Sequence, residues 1–264
     1  MTTLQTVFSK ARAENRAALV GYLPAGFPTK DGAVAAATAM VEAGCDVIEI
    51  GLPYSDPLMD GPTIQDAVHR SLTNGTRIAD VMRTVEGVAK TGAATLVMTY
   101  WNPIDRYGAA RFARDLANAG GVGTITPDLT PEESGVWLQE SKDAGIDTVF
   151  LVAPSSTEDR IGKVAKICTG FVYAASLMGV TGARESVGSA AEGLVARTRK
   201  HTSLPVCVGL GVGTGAQAAE VAAYADGVIV GSAFIRRLLD APDEASGLAS
   251  VRELAAELAA GVRR

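Results

Sequence analysis

Two carboxylates bracket the stretch Glu49-Ile-Gly-Leu-Pro-Tyr-Ser-Asp-Pro-Leu-Met-Asp60, and their spacing around a stiff loop suits paired acid–base work. Glu49 falls near the end of an apolar run. Strand side chains alternate, so Val47 and Glu49 share one side while Ile48 and Ile50 share the other. A glutamate turned inward among apolar neighbours holds its proton more tightly than usual, as a general acid must. A salt bridge to a neighbouring strand is the other role open to it. In the loop that follows, Pro53, Pro57 and Pro62 fix φ, and Gly51 and Gly61 permit close backbone approach. Such a loop can present Asp60 opposite Glu49. Asp56 and Asp60 could equally be turn or cap residues, since Asp60-Gly-Pro is an ordinary entry to a helix starting near Thr63.

Glycine-bearing stretches offer a second kind of chemistry. Gly179-Val-Thr-Gly182, Gly209-Leu-Gly-Val-Gly213 and Gly231-Ser232 each follow a β-rich run, and the last opens a short helix. Backbone N–H groups at a helix N-terminus can hold a phosphate. One Gly-x-Gly-x-Gly alone could be tight-turn chemistry; its pairing with Gly-Ser at the next strand end points to an anion.

What is missing narrows the reaction. A Schiff-base aldolase needs an inward lysine, but the lysines at 10, 30, 90, 142, 163, 166 and 200 fall in predicted helices, turns or helix ends. A zinc aldolase needs clustered histidines, and the chain has only His69 and His201, both in helical or turn contexts. No Ser/His/Asp arrangement and no Walker-type loop is present. Metal-free carboxylate chemistry on a phosphorylated substrate remains.

The elements that must position these residues alternate from end to end. Strands are predicted over Ala18–Leu23, Asp46–Ile50, Thr95–Tyr100, Val122–Ile125, Thr148–Val152, Phe171–Ala174, Pro205–Val208 and Gly227–Val230. Most are continuous apolar runs, as parallel strands covered on both faces should be. Helices are predicted between them: one capped by Thr29 and stopped by Gly44, one with Pro131, Glu132 and Glu133 as first turn and Gly145 as stop, and a last one with an apolar stripe through Leu248, Val251, Ala255, Leu258 and Val262. This alternation predicts a (β/α)8 TIM barrel; an open doubly wound sheet is the alternative. Without a linker or composition break, residues 1–264 read as one domain, with Leu4–Asn15 as a helix covering the barrel floor. The two longest connections, Gly51–Thr63 and Ser176–Ala190, follow strand C-termini, the face where barrel active sites are built.

Bulk properties agree. The 264 residues match the typical ~250 of such a barrel. With 47% apolar and 20% charged residues a large core is available, and a net charge of −5 without a basic cluster argues against nucleic acid. Cys45, Cys168 and Cys207 sit beside apolar runs without metal-like spacing and read as reduced core residues. The N-terminus has no apolar signal-like segment, and no run reaches membrane-span length, so a soluble, cytoplasmic protein is expected.

At this point the pattern Glu49-x-Gly-x-Pro-x-Ser-Asp-Pro-x-x-Asp-Gly-Pro is recognisable: it resembles the signature of the tryptophan synthase alpha chain family. Met98-Thr-Tyr-Trp-Asn102, Pro127-Asp-Leu-x-Pro-Glu-Glu133, Tyr173-Ala-Ala-Ser-x-x-Gly-Val-Thr-Gly182, Gly209-Leu-Gly-Val212 and Gly231-Ser-Ala233 fall where that family has its other blocks. The resemblance implies a barrel that cleaves indole-3-glycerol phosphate to indole and glyceraldehyde 3-phosphate, as a lyase of tryptophan biosynthesis. It implies that Glu49 protonates indole C3, that Asp60 pairs with the indole N–H, and that Tyr173 positions substrate and Glu49. Gly182, Gly211, Gly231 and Ser232 match phosphate contacts, and Tyr22, Tyr100, Thr181 and Leu210 match the indole and glycerol pocket.

The resemblance further implies an α2β2 heterotetramer with a beta chain carrying pyridoxal phosphate, and no cofactor on this chain. Pro53, Asp56 and the Asn102–Arg106 region are the docking candidates, with solvated loops as the other reading. Tyr22, Tyr54 and Leu210 stand where phenylalanine is common in the family, Met59 where alanine is usual, and Leu177 where arginine is frequent. These departures touch pocket packing and lid contacts, not the carboxylate pair. A stand-alone indole-releasing lyase, or a catalytically silent phosphate-binding barrel acting as a regulatory partner, are the competing expectations.

Overall fold

The computed structural model describes residues 2–176, 184–209 and 211–263, with 184–189 as backbone alone. In chain order, α1 (Leu4–Ala13) precedes β1 (Ala18–Pro24), α2 (Lys30–Glu42), β2 (Val47–Gly51), α3 (Pro62–Thr73), α4 (Ile78–Ala89) and β3 (Ala94–Met98). Then come α5 (Trp101–Tyr107), α6 (Ala109–Asn118), β4 (Gly123–Ile125), α7 (Gly135–Ala144), β5 (Asp147–Val149), β6 (Leu151–Val152) and α8 (Glu158–Ile167). The chain continues through β7 (Val172–Ala175), α9 (Arg184–Thr198), β8 (Val206–Gly209), α10 (Gly215–Ala222), β9 (Gly227–Val230), α11 (Ser232–Leu239) and α12 (Glu244–Gly261).

Every strand pairing is parallel, in the order β5-β4-β3-β2-β1-β9-β8-β7-β6. The two ends of that order, β5 and β6, are separated in sequence only by Phe150. One interrupted strand therefore pairs with β4 through its first half and with β7 through its second, and the sheet closes into a (β/α)8 barrel. All eight predicted strands are present, the fifth as this broken pair. Burial on both faces explains their near-continuous apolar runs: every residue of β1 and β2 is buried.

The two faces pack into separate cores. Ile48 and Ile50 point outward and pack with Met40, Val81 and Val85 of the helical layer. Val20, Val47, Leu96, Ile125 and Ile229 fill the barrel interior, and Leu4, Val7 and Phe8 of α1 belong to that same inner cluster. Phe8 meets Phe171 edge-on at 5.8 Å. Burying such side chains stabilises by roughly 1.5–3 kcal/mol each, enough to hold α1 against the inner cluster.

Helix ends follow the sequence in most places. Thr29 caps α2 by accepting the Gly32 N–H, and Gly44 follows it at φ +122°. Gly145 ends α7 in the left-handed conformation expected of a glycine stop. The predicted start of α7 needs correction. Pro131, Glu132 and Glu133 form a turn, held by Ser134 Oγ donating to the Pro131 carbonyl and Thr130 Oγ1 to Glu133, and the helix begins at Gly135. Two helices, α3 and α4, fill the connection after β2, and α3 begins with Pro62 at its first position.

Candidate active site

Glu49 is the middle residue of β2 and shares its inward side with Val47. Its side chain is 1% exposed, and neither carboxylate oxygen has a hydrogen-bond partner among the described residues. The salt-bridge role is thereby excluded within that set. Burial without compensation penalises the ionised form and pushes the Glu49 carboxyl up to about 8. The acid is thus protonated at neutral pH.

Two phenols flank it. Tyr22 on β1 stands in register opposite Glu49, and Tyr173 lies on β7 beside Cys207. Both phenols are held well above the ordinary tyrosine range, first by burial and then by the negative potential of Glu49 and Asp60. That shared influence places both carboxylates around the same two rings. Two glycines make room: a Cβ at Gly51 would run into the Tyr22 phenol, and one at Gly209 into that of Tyr173. Gly231 also rests against the Tyr22 ring, which therefore spans the space between the acid and the start of α11.

Asp60 is carried by a pinned loop. Leu52 N–H donates to the Met98 carbonyl at 2.9 Å, and Met59 N–H donates to Tyr100 Oη at 2.9 Å. Tyr54 packs on Tyr100 with ring centres 5.4 Å apart, and its hydroxyl accepts from Asn102 Nδ2 at 3.0 Å. Asp128 accepts the Trp101 N–H, fixing the start of α5 next to Tyr100. Gly61 enters α3 without a side-chain cap, so capping is not the task of Asp60. Partial burial raises its carboxyl pKa above the usual range, but Asp60 remains in contact with solvent where Glu49 is not.

At the other end, Gly231 and Ser232 open α11, and no side chain caps its first N–H groups. Gly211, at φ +73°, and Ser232 line one cavity of about 620 Å³ beside that helix. Free N–H groups and a positive helix end facing a cavity are what an anion requires. Of the other candidates, Thr181, Gly182 and Leu210, with Leu177, lie outside the described residues. The structure therefore gathers Tyr22, Glu49, Asp60, Tyr100 and Tyr173 at one end and Gly211, Gly231 and Ser232 at the other, joined through Tyr22.

Sequence reasoning missed the Met59–Tyr100 pin, because a backbone donor leaves no residue-type signal. It also missed Arg236 and Arg237, which line the cavity beside Gly211 and Ser232; the adjacent Arg-Arg pair one turn past Gly231-Ser232 was the available cue. Among the described residues no group of three or more His, Cys, Asp or Glu side chains converges as metal ligands would. No helix of the described residues is long and apolar enough to cross a membrane.

Comparison with known proteins gives a consistent picture. The family model described as tryptophan synthase alpha chain matches residues 8–263. The tryptophan synthase alpha chain of Thermobifida fusca is 59% identical, covering 100% of this chain and 98% of its own length. That of Streptomyces coelicolor is 59% identical over 98% of this chain and 96% of its own. Among solved structures, ligand-free tryptophan synthase from M. tuberculosis aligns at TM-score 0.92 with 51% identity, covering 100% of both chains. The alpha subunit from Legionella pneumophila aligns at 0.90 with 31% identity, over 99% of this chain and 98% of that one.

Proposed function

The chain belongs to the tryptophan synthase alpha chain family, and from that premise we propose how its own residues perform the family's reaction. It is a lyase of tryptophan biosynthesis: it cleaves indole-3-glycerol phosphate to indole and glyceraldehyde 3-phosphate by a retro-aldol step. Breaking the bond between indole C3 and the glycerol chain leaves an electron pair on an aromatic carbon, so C3 must first take a proton. Glu49 supplies it, and its carboxylate then accepts the proton of the glycerol hydroxyl that becomes the aldehyde. Asp60 accepts a hydrogen bond from the indole N–H and offsets the positive charge that C3 protonation places on that nitrogen.

The observation that carries this reading is the isolation of Glu49, buried without a partner among the described residues and protonated at neutral pH. A silent regulatory barrel would have no use for so costly a side chain. Tyr173 positions Glu49 and the glycerol chain, and Tyr22 and Tyr100 form pocket walls, together with Thr181 and Leu210. Gly182, Gly211, Gly231 and Ser232 hold the phosphate, which anchors the far end and fixes C3 near Glu49.

An alpha chain has a beta-chain partner. We propose that the assembly is an α2β2 heterotetramer, and that pyridoxal phosphate belongs to the beta chain while this chain needs no cofactor. Leu58, Met59 and Val136 are the exposed large apolar side chains among the described residues, and all three follow strand C-termini on the face of the barrel that bears the site. With the exposed Asp56, Asn102, Asp105 and Arg106 they form the docking surface, whereas Pro53, Pro103 and Ile104 are buried and drop out of it. A single domain, working in the cytoplasm, completes the reading.

The test is indole release from indole-3-glycerol phosphate by the purified chain, alone and with a beta chain. Release that the beta chain strongly accelerates is expected. Full activity without a beta chain would remove the subunit role, and no release under either condition would remove the reaction.

A further inference from the structure

The substrate brings a dianionic phosphate to a protein whose net charge is −5, and the residues described for the phosphate end offer it only backbone N–H groups and one hydroxyl. Two cations line the cavity at that end. Arg236 and Arg237 share the space of about 620 Å³ with Gly211 and Ser232, and with Asp240 as an opposing carboxylate. Helical side chains tilt toward the N-terminus, so Arg236, one turn beyond Ser232, leans back toward the start of α11.

Neither arginine is neutralised. Arg236 Nη2 donates to Thr63 Oγ1 at 3.3 Å and Arg237 Nη1 to Ser250 Oγ at 3.4 Å, both long bonds to uncharged hydroxyls. Arg70, Arg160 and Arg252 each sit within 3.2 Å of a carboxylate, whereas the exposed Arg12, Arg77 and Arg106 have, like this pair, no ion pair among the described residues. What sets Arg236 and Arg237 apart is that they line the cavity of Gly211 and Ser232. Among the described residues no carboxylate, Asp240 included, reaches ion-pair distance of Arg236 or Arg237. Two unpaired guanidinium groups beside an anion-binding helix end raise the local concentration of anions, whatever the charge of the whole.

We propose that Arg236 and Arg237 form an electrostatic entrance that draws the phosphate of the substrate to the start of α11 and favours its binding without touching the reacting carbons. The proposal rests on the phosphate site described above. It predicts a uniform effect on substrate and transition state, so KM should move and kcat should not.

The experiment compares R236Q/R237Q with wild type in the assembled enzyme, measuring KM and kcat for indole-3-glycerol phosphate across ionic strength. K10Q/R12Q, which removes two basic residues from the last turn of α1 far from the cavity, controls for net charge. At low ionic strength the α11 variant should raise KM roughly 3- to 10-fold with kcat unchanged, and the difference should shrink below about 2-fold near 0.5 M salt. D240N should lower KM under the same low-salt conditions. A KM equal to that of K10Q/R12Q, a rise that ignores salt, or a fall in kcat would each overturn the proposal. Ser232→Asp tests the underlying site separately: it sets a like charge against the phosphate and should raise KM at every salt concentration. If it does not, the phosphate site itself is wrongly assigned; if it does while the arginine variant is silent, only the entrance falls.

Discussion

At the scale of single residues, Glu49 carries the largest energetic cost in the site. Its pKa rises from 4.5 to about 8 on folding because burial penalises the carboxylate. Between those values the folded chain keeps a proton that the unfolded chain has released, so this residue makes stability fall as pH rises. The effect is absent below about 4.5 and complete above about 8. Glu49→Gln removes the titration, and should therefore be increasingly more stable than wild type as pH climbs through that window, by a few kcal/mol at its upper end. Urea denaturation at several pH values measures this; a difference independent of pH would mean that Glu49 is not held protonated. Strand alternation grouped Glu49 with Val47, but that this side faces inward emerges only from the packing of Val47 in the inner cluster. Its lack of a partner among the described residues was not legible either, since that depends on what the other strands place around it. Asp60 was ambiguous in the sequence because Asp-Gly-Pro serves turns equally well; its N–H does close a turn onto the Pro57 carbonyl, while the start of α3 has no side-chain cap.

At the scale of elements, the strands were readable because burial on both faces leaves unbroken apolar runs, whereas loop geometry was not. The Asp60 loop is held from β3's side of the barrel by Tyr100, whose hydroxyl accepts the Met59 N–H, and no local pattern links those positions. Pro131 misled for a related reason: proline fits a helix's first turn and a plain turn alike, and the Ser134 and Thr130 hydrogen bonds select the latter. The pin makes a specific expectation. Tyr100→Phe keeps the ring on Tyr54 but removes the acceptor, leaving the Met59 N–H to water. Stability should fall by about 1 kcal/mol or less, while kcat falls roughly 3- to 10-fold as Asp60 loses its fixed position. Denaturation and steady-state kinetics on the same variant separate the two; an unchanged kcat would show that Tyr100 serves only as a pocket wall.

At the scale of the whole molecule, the barrel divides its work between its ends. The N-terminal end is structural: Arg16, buried, holds Asp46 through two hydrogen bonds of 2.7 and 2.8 Å, and Asp46 also accepts the Leu19 N–H, tying β1 to the entry of β2. The C-terminal end bears Glu49 and Asp60, the uncapped start of α11 and the exposed apolar side chains, as the architecture leads one to expect of an active-site face. The closed topology was legible from alternation, but the partition of Tyr22 between the acid and α11 emerges only from closure, which sets β9 beside β1. Everything chemical converges on one proton. The most direct measurement is single-turnover indole release by Glu49→Gln, alongside calorimetric binding of a non-cleavable phosphorylated analogue. The expected result is loss of release by several orders of magnitude with analogue binding largely retained. Release at a rate near wild type, with binding intact, would contradict the account at its centre.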